Sequence, residues 1–269
     1  MDRQKLKEAI KSKQSYLCVG LDTDIDRLPQ GFSKDLRGVI NFNKEIIDAT
    51  KDYAIAYKMN TAFYEQLGSD GWKALEKTKE LLPNNVLSIA DAKRGDIGNT
   101  SKMYAKAFFE TLDFDALTVA PYMGIDSVEP FLEFENKYTI VLGLTSNKGS
   151  QNFQTNPLYE PSLYKTVLNT IKNWGTVDNL MFVVGATKAD SLKEIRAIIP
   201  DHFLLIPGVG AQGGSVNAVC ENGKNSSGGL LINSSRGIIY ASSDKNFAAA
   251  ARQKAREIAL ETQPYTEHL

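Results

Sequence analysis

Apolar residues recur along this chain in short, almost unbroken runs: Tyr16–Leu21, Ala54–Met59, Val86–Ala90, Ala116–Val119, Thr139–Leu144, Leu180–Val184, Phe203–Ile206 and Gly229–Ile232. Runs this short, with no polar alternation, are expected of strands covered on both faces, as in a parallel sheet. Amphipathic spacing between them predicts helices over Gly38–Asp52, Trp72–Leu82, Thr100–Leu112, Leu163–Trp174, Ser191–Ile199 and Gly214–Glu221. The opening Met1–Ile10 reads as a further short amphipathic helix without the apolar core of a signal peptide. Eight strands alternating with helices predict a (β/α)8 TIM barrel, a fold that takes about 250 residues. No linker, low-complexity block or repeat divides the chain, so a single domain is expected over residues 1–269, with residues 262–269 as a flexible tail. The longest irregular stretch, Ser146–Pro161, reads either as a binding loop or as a surface insertion.

In such a barrel, chemistry gathers where strands end. The polar residues at the predicted strand ends are Asp22, then Lys58 and Asn60, then Asp91 and Lys93, then Thr145, Ser146 and Asn147. Strand seven runs into Pro207-Gly-Val-Gly-Ala-Gln212-Gly213-Gly214, and strand eight into Arg236. Asp91 and Lys93 are two apart, so regular alternation directs both to one side of their strand. If that side is the barrel interior, burying the pair costs several kcal/mol per ion unless the charges are well matched, which points to function. Read locally, Asp91-Ala-Lys-Arg-Gly-Asp96 could equally be a surface turn; the other charged strand ends favour the interior. The glycine-rich turn after strand seven can bring backbone N–H groups close to an anion, the segment Ser215–Glu221 can add a helix N-terminus, and Arg236 a guanidinium clamp. These features together predict a phosphate site.

Composition narrows the chemistry. Formal net charge is −1 with 23% charged residues, which lacks the basic excess expected of a nucleic-acid partner. No apolar run is long enough to span a membrane. Cys18 and Cys220 are the only cysteines, too few for a disulfide framework and without a CxxC pair for zinc, so a cytoplasmic setting is expected and both are read as small packed side chains. With only His202 and His268 available, carboxylates and lysines must carry any proton transfer.

These residues resemble a known family. Asp91-x-Lys93-x-x-Asp96-Ile97-Gly-Asn-Thr100, Gly20-Leu-Asp22, Tyr57-Lys58-Met-Asn60-Thr-Ala-Phe-Tyr-Glu65, Pro207–Gly214 and Arg236-Gly237 follow the order seen in orotidine 5′-phosphate decarboxylases, in the form of the longer bacterial subgroup. The resemblance covers nearly the whole chain. It implies decarboxylation of orotidine 5′-phosphate to UMP, the last step of de novo pyrimidine synthesis, with no metal or organic cofactor. It also implies a charged network of Lys58, Asp91 and Lys93, completed by Asp96 from the partner of a homodimer, with Ile97 and Thr100 also crossing over. Asp22 and Asn60 would face the ribose, Ser146 or Thr145 the pyrimidine, and Gln212, Gly213, Gly214 and Arg236 the phosphate, with Pro207 also touching the substrate. A sister phosphosugar decarboxylase that uses Mg²⁺ shares Asp-x-Lys-x-x-Asp; the Lys58-Met-Asn60 segment and the Gln212 loop argue against it. A barrel that only binds nucleotide is a third reading, opposed by the presence of all four charged residues.

Overall fold

Eight parallel strands close on themselves in sequence order, β1 (Leu17–Gly20), β2 (Ala56–Asn60), β3 (Leu87–Arg94), β4 (Ala116–Val119), β5 (Tyr138–Leu144), β6 (Leu180–Val184), β7 (Leu204–Pro207) and β8 (Leu230–Ser234), with β8 pairing back to β1. The computed structural model describes residues 1–209 and 213–269. All eight strands fall where the apolar runs predict them, within two residues except at the C-terminal end of β3. β3 extends through Asp91, Ala92 and Lys93 to Arg94, so the charged residues belong to the strand itself.

The paired registers fix which side chains enter the barrel. Cys18 pairs with Ala56, Lys58 with Ile89, Asn60 with Asp91, Leu142 with Val183, and Pro207 with Asn233. Lys58, Asn60, Asp91 and Asn233 all lie toward the C-terminal ends of their strands and line the cavity there. This layering concentrates apolar burial in the core while leaving charge at the mouth, where partners and solvent can satisfy it.

Helices cover the outer face. Those at Leu36–Thr50, Gly68–Glu80, Leu163–Ile171, Leu192–Ile198 and Val216–Gly223 match the amphipathic segments, with ends shifted by a few residues. The predicted helix over Thr100–Leu112 is α-helical only across Gly98–Lys106 and widens to a π-helical turn at Ala107–Thr111. A long helix, Phe247–Thr262, has no counterpart in the pattern-based reading. Its buried stripe is Ala251, Ala255 and Ala259, whose small side chains give little hydrophobic contrast although the i, i+4 spacing is helical. Its first residue, Phe247, stacks on Phe42 at 5.2 Å between ring centroids.

The N-terminal helix, Arg3–Lys13, begins with an Asp2 cap on the Lys5 N–H. Arg3 donates to the carbonyls of Val177 and Asp201, just before β6 and β7, so the helix packs across the N-terminal end of the barrel. The final segment lies against the same end: Thr266 is buried and the Tyr16 hydroxyl donates to the Tyr265 carbonyl. Within Ser146–Pro161, the short helix Ser150–Phe153 interrupts the expected irregular loop. Among the described residues, no helix is long and apolar enough to cross a membrane.

Candidate active site

At the C-terminal mouth, a cavity of about 460 Å³ is lined by Asp22, Lys58, Asn60, Asp91, Lys93, Thr145, Ser146, Pro207 and Arg236, all expected from sequence. The charges alternate in space. Lys58 Nζ lies 3.3 Å from Asp22 Oδ1 and 2.9 Å from Asp91 Oδ2, and Lys93 Nζ lies 2.6 Å from Asp91 Oδ1. Lys58 is 3% exposed, whereas the Lys93 side chain is half exposed and faces the cavity.

The neighbours decide which forms these groups take. Burial alone would discharge Lys58, but the carboxylates of Asp22 and Asp91 outweigh it and hold its pKa above the ordinary lysine value. For Asp91, burial opposes ionisation, and the ammonium groups of Lys58 and Lys93 together override it, placing its pKa well below the usual carboxylate range. Three side-chain donors converge on Asp91: Lys58, Lys93 and the hydroxyl of Thr118 at 3.1 Å. Asp22 also accepts the Asn60 N–H at 3.2 Å, and Asn60 uses its own side-chain oxygen to cap the following turn at Ala62.

Regular strand alternation does not by itself produce this arrangement. β3 bulges against β4 between Ala90 and Arg94, and Lys93 adopts a φ of +48°. The bulge turns Lys93 toward Asp91 and sends Arg94 outward, where it pairs with Glu65 and stacks over Tyr104 and Phe108.

Across the barrel, the turn after β7 supplies backbone to the cavity through Gly208 and Val209. Gly213 has a φ of +85°, and a Cβ on Gly214 would sit 2.4 Å from that of Ala186, so the returning backbone depends on glycine at both positions. Gln212 lies outside the described residues. Ser215 caps the next helix by accepting the Ala218 N–H. Arg236 is exposed, opens the short helix Arg236–Ile239 after β8, and contributes to the cavity wall.

Among the described residues, five predicted ones do not line this cavity: Gly213 and Gly214 in the turn after β7, and three residues after β3. Asp96, Ile97 and Thr100 lie just past β3 on the outer rim, and the Asp96 carboxylate accepts its neighbour Ile97's N–H instead of meeting Lys93. Ile97 is 58% exposed, and the segments that follow β3 and β4 also expose Met103, Tyr104, Tyr122, Met123 and Ile125. The Ser101 hydroxyl, which also donates to the Asp96 carbonyl, ties the β3 and β4 loops together by contact with the Ser127 carbonyl.

Sequence reasoning missed other members of the site. Leu142, Val183 and Leu205 form an apolar wall, and Asn147, Asn233 and Ser235, which the sequence places at the ends of strands five and eight without a role, add polar atoms. The apolar three lie on strands that are apolar on both faces, so no period of two distinguishes inward from outward positions. Thr145 directs its hydroxyl and N–H to Gln154, which fastens the β5 loop back on itself. Ser146 also lines the cavity.

The comparisons agree with this geometry. Residues 15–252 match the model of the family described as "Orotidine 5'-phosphate decarboxylase / HUMPS family". The chain is 62% identical over 258 residues to orotidine 5′-phosphate decarboxylase of Christiangramia forsetii, covering 95% of each, and 56% identical to that of Bacteroides fragilis, covering 96% of each. Among solved structures, OMP decarboxylase of Leishmania donovani is similar over 99% of both chains, with a TM-score of 0.85 and 35% identity.

Proposed function

This chain belongs to the orotidine 5′-phosphate decarboxylase / HUMPS family, and from that premise we propose that it converts orotidine 5′-phosphate to UMP and CO₂. The observation that carries the reading is the alternating row Asp22–Lys58–Asp91–Lys93 at one side of the cavity, with the glycine turn after β7 and Arg236 after β8 on the other. A nucleoside monophosphate has the matching layout: an anion at one end and a reacting base at the other.

Loss of CO₂ from pyrimidine C6 leaves an electron pair in an in-plane orbital that the ring's π system cannot accept. In this proposal the Lys93 ammonium faces that pair as it forms. The C6–carboxyl bond breaks, the pair remains on C6, and Nζ gives its proton to C6, yielding UMP; solvent then reprotonates Lys93. A cation fixed beforehand by Asp91 and Lys58 stabilises developing charge without reorganising at the moment of reaction. Asp91 would lie beside the substrate carboxylate, a like-charge contact relieved as CO₂ departs. Leu142, Val183 and Leu205 offer the leaving CO₂ an apolar surface. Asp22 and Asn60 would take the ribose hydroxyls, Ser146 or Thr145 the pyrimidine edge, and Gln212, Gly213, Gly214 and Arg236 the phosphate, with Pro207 also touching the substrate.

The rim residues receive their role in a homodimer. The apolar side chains exposed after β3 and β4, Ile97 and Tyr122 among them, suit burial against a second copy, and Asp96 beside Ile97 would then reach the partner's Lys93 region together with Ile97 and Thr100.

Decarboxylation of orotidine 5′-phosphate, followed by pyrimidine absorbance in the presence of EDTA, tests the reading. Wild type should turn over and Lys93→Ala should lose activity by several orders of magnitude while still binding UMP. A folded wild type that leaves the substrate untouched would overturn it.

A further inference from the structure

The ladders flanking the bulge are unequal in length. Ala90 pairs with Leu117 and Arg94 with Val119, so Asp91, Ala92 and Lys93 together face the single residue Thr118. A bulge leaves backbone groups without ladder partners, and a buried N–H needs another acceptor. Here the Thr118 hydroxyl oxygen accepts the Lys93 N–H at 2.9 Å. The same hydroxyl donates to Asp91 Oδ1 at 3.1 Å. The direction of the second bond is fixed, because an ionised carboxylate can only accept.

Thr118 therefore contacts both central charged residues without touching the cavity, and it is fully buried. It fixes two degrees of freedom. Oδ1 of Asp91 is drawn to the side where Lys93 Nζ meets it, leaving Oδ2 for Lys58. The Lys93 backbone is held at a φ of +48°, in a region that side chains other than glycine seldom occupy unless the surroundings enforce it.

We propose that Thr118 is a positioning residue for the decarboxylation: its hydroxyl locks the rotation of the Asp91 carboxylate and the strained main chain of Lys93, and so aims Nζ at the reacting carbon. This rests on the function proposed above. Its signature is a loss of turnover without a matching loss of nucleotide affinity, because Thr118 contacts the groups nearest C6 and none of those proposed for ribose or phosphate.

The test compares Thr118→Val, which keeps the shape, with Thr118→Ser and Thr118→Ala, a pair that differs only in the hydroxyl. Steady-state decarboxylation and UMP dissociation constants are measured for each. Val and Ala should lower kcat by roughly 10- to 100-fold, as expected when a buried hydrogen bond to a charged group is lost. UMP affinity should stay within about threefold, and Ser should recover kcat to within about threefold of wild type. If Val fails to fold, the Ser–Ala pair carries the comparison alone. Ser and Ala with equal kcat, or UMP affinity falling in step with kcat, overturns the inference. A wild type without decarboxylase activity defeats the functional reading itself, whereas an active wild type with unaffected variants defeats only the role of Thr118.

Discussion

Replacing Lys58 with methionine removes the cation between Asp22 and Asp91 while nearly preserving side-chain volume. In the wild-type protein, the Lys58 pKa is raised, so its stabilising contribution is complete below the unfolded lysine value of about 10.4 and is lost only as pH rises through the folded value. The Asp91 pKa is lowered, so its contribution is present above about 3.9 and is lost as pH falls through the folded value. Near neutrality both are present in full. In the variant, Asp91 keeps Lys93 and Thr118, whereas Asp22 keeps the Asn60 N–H. Removing one member of a buried ion pair costs about 3–5 kcal/mol, and the donors left on Asp91 favour the low end, near 3 kcal/mol. That is roughly a hundredfold in the ratio of folded to unfolded protein. Urea unfolding followed by circular dichroism measures the deficit at neutral pH and again near pH 5. The deficit should shrink on acidification, because Asp91, with one ammonium group fewer beside it, takes up a proton more readily in the folded variant than in the folded wild type. The kcat should also fall by roughly 10²- to 10³-fold, the usual loss when a preorganised electrostatic contact is removed. A neutral-pH deficit below about 1 kcal/mol, or one that acidification leaves unchanged, would refute the reasoning.

Three further outcomes are expected. Mixing Lys93→Ala with Asp96→Ala and allowing subunits to exchange should restore about one quarter of wild-type activity, because half the dimers are hybrid and each hybrid holds one intact site; no recovery in a mixture shown to contain hybrids counts against sharing of Asp96. Arg236→Ala should raise KM for orotidine 5′-phosphate by about 10- to 100-fold, with little effect on a substrate lacking the phosphate, and equal losses for both substrates would remove Arg236 from the phosphate site. His202 is buried at the N-terminal end of the barrel with neither ring nitrogen hydrogen-bonded among the described residues, and burial, helped by Arg3 and Arg196, pushes its pKa down to about 4. Its unfolded form gains a proton first, so stability should fall as pH drops from about 6.5 towards 4; His202→Phe should flatten that part of a Tm-versus-pH curve, and an unchanged slope would contradict the assignment.

The apolar runs by themselves determined the strand count, the parallel barrel and the end of it at which charge collects, because strands covered on both faces leave an unmistakable uninterrupted pattern. They also placed Asp22, Lys58, Asp91, Lys93 and Arg236 at strand ends, and the structure brings all five to one cavity. The sequence was silent wherever a role depends on register or on small side chains. The helix Phe247–Thr262 buries a stripe of alanines too weak to register as amphipathic. Leu142, Val183 and Leu205 face the cavity only because of how β5, β6 and β7 pair. Thr118 became visible only when the bulge in β3 set one hydroxyl against three residues, a mismatch between neighbouring ladders that neither strand's sequence contains. Propensity and burial act within one segment and can be read along it; register and bulges arise between segments, and only the closed barrel decides them.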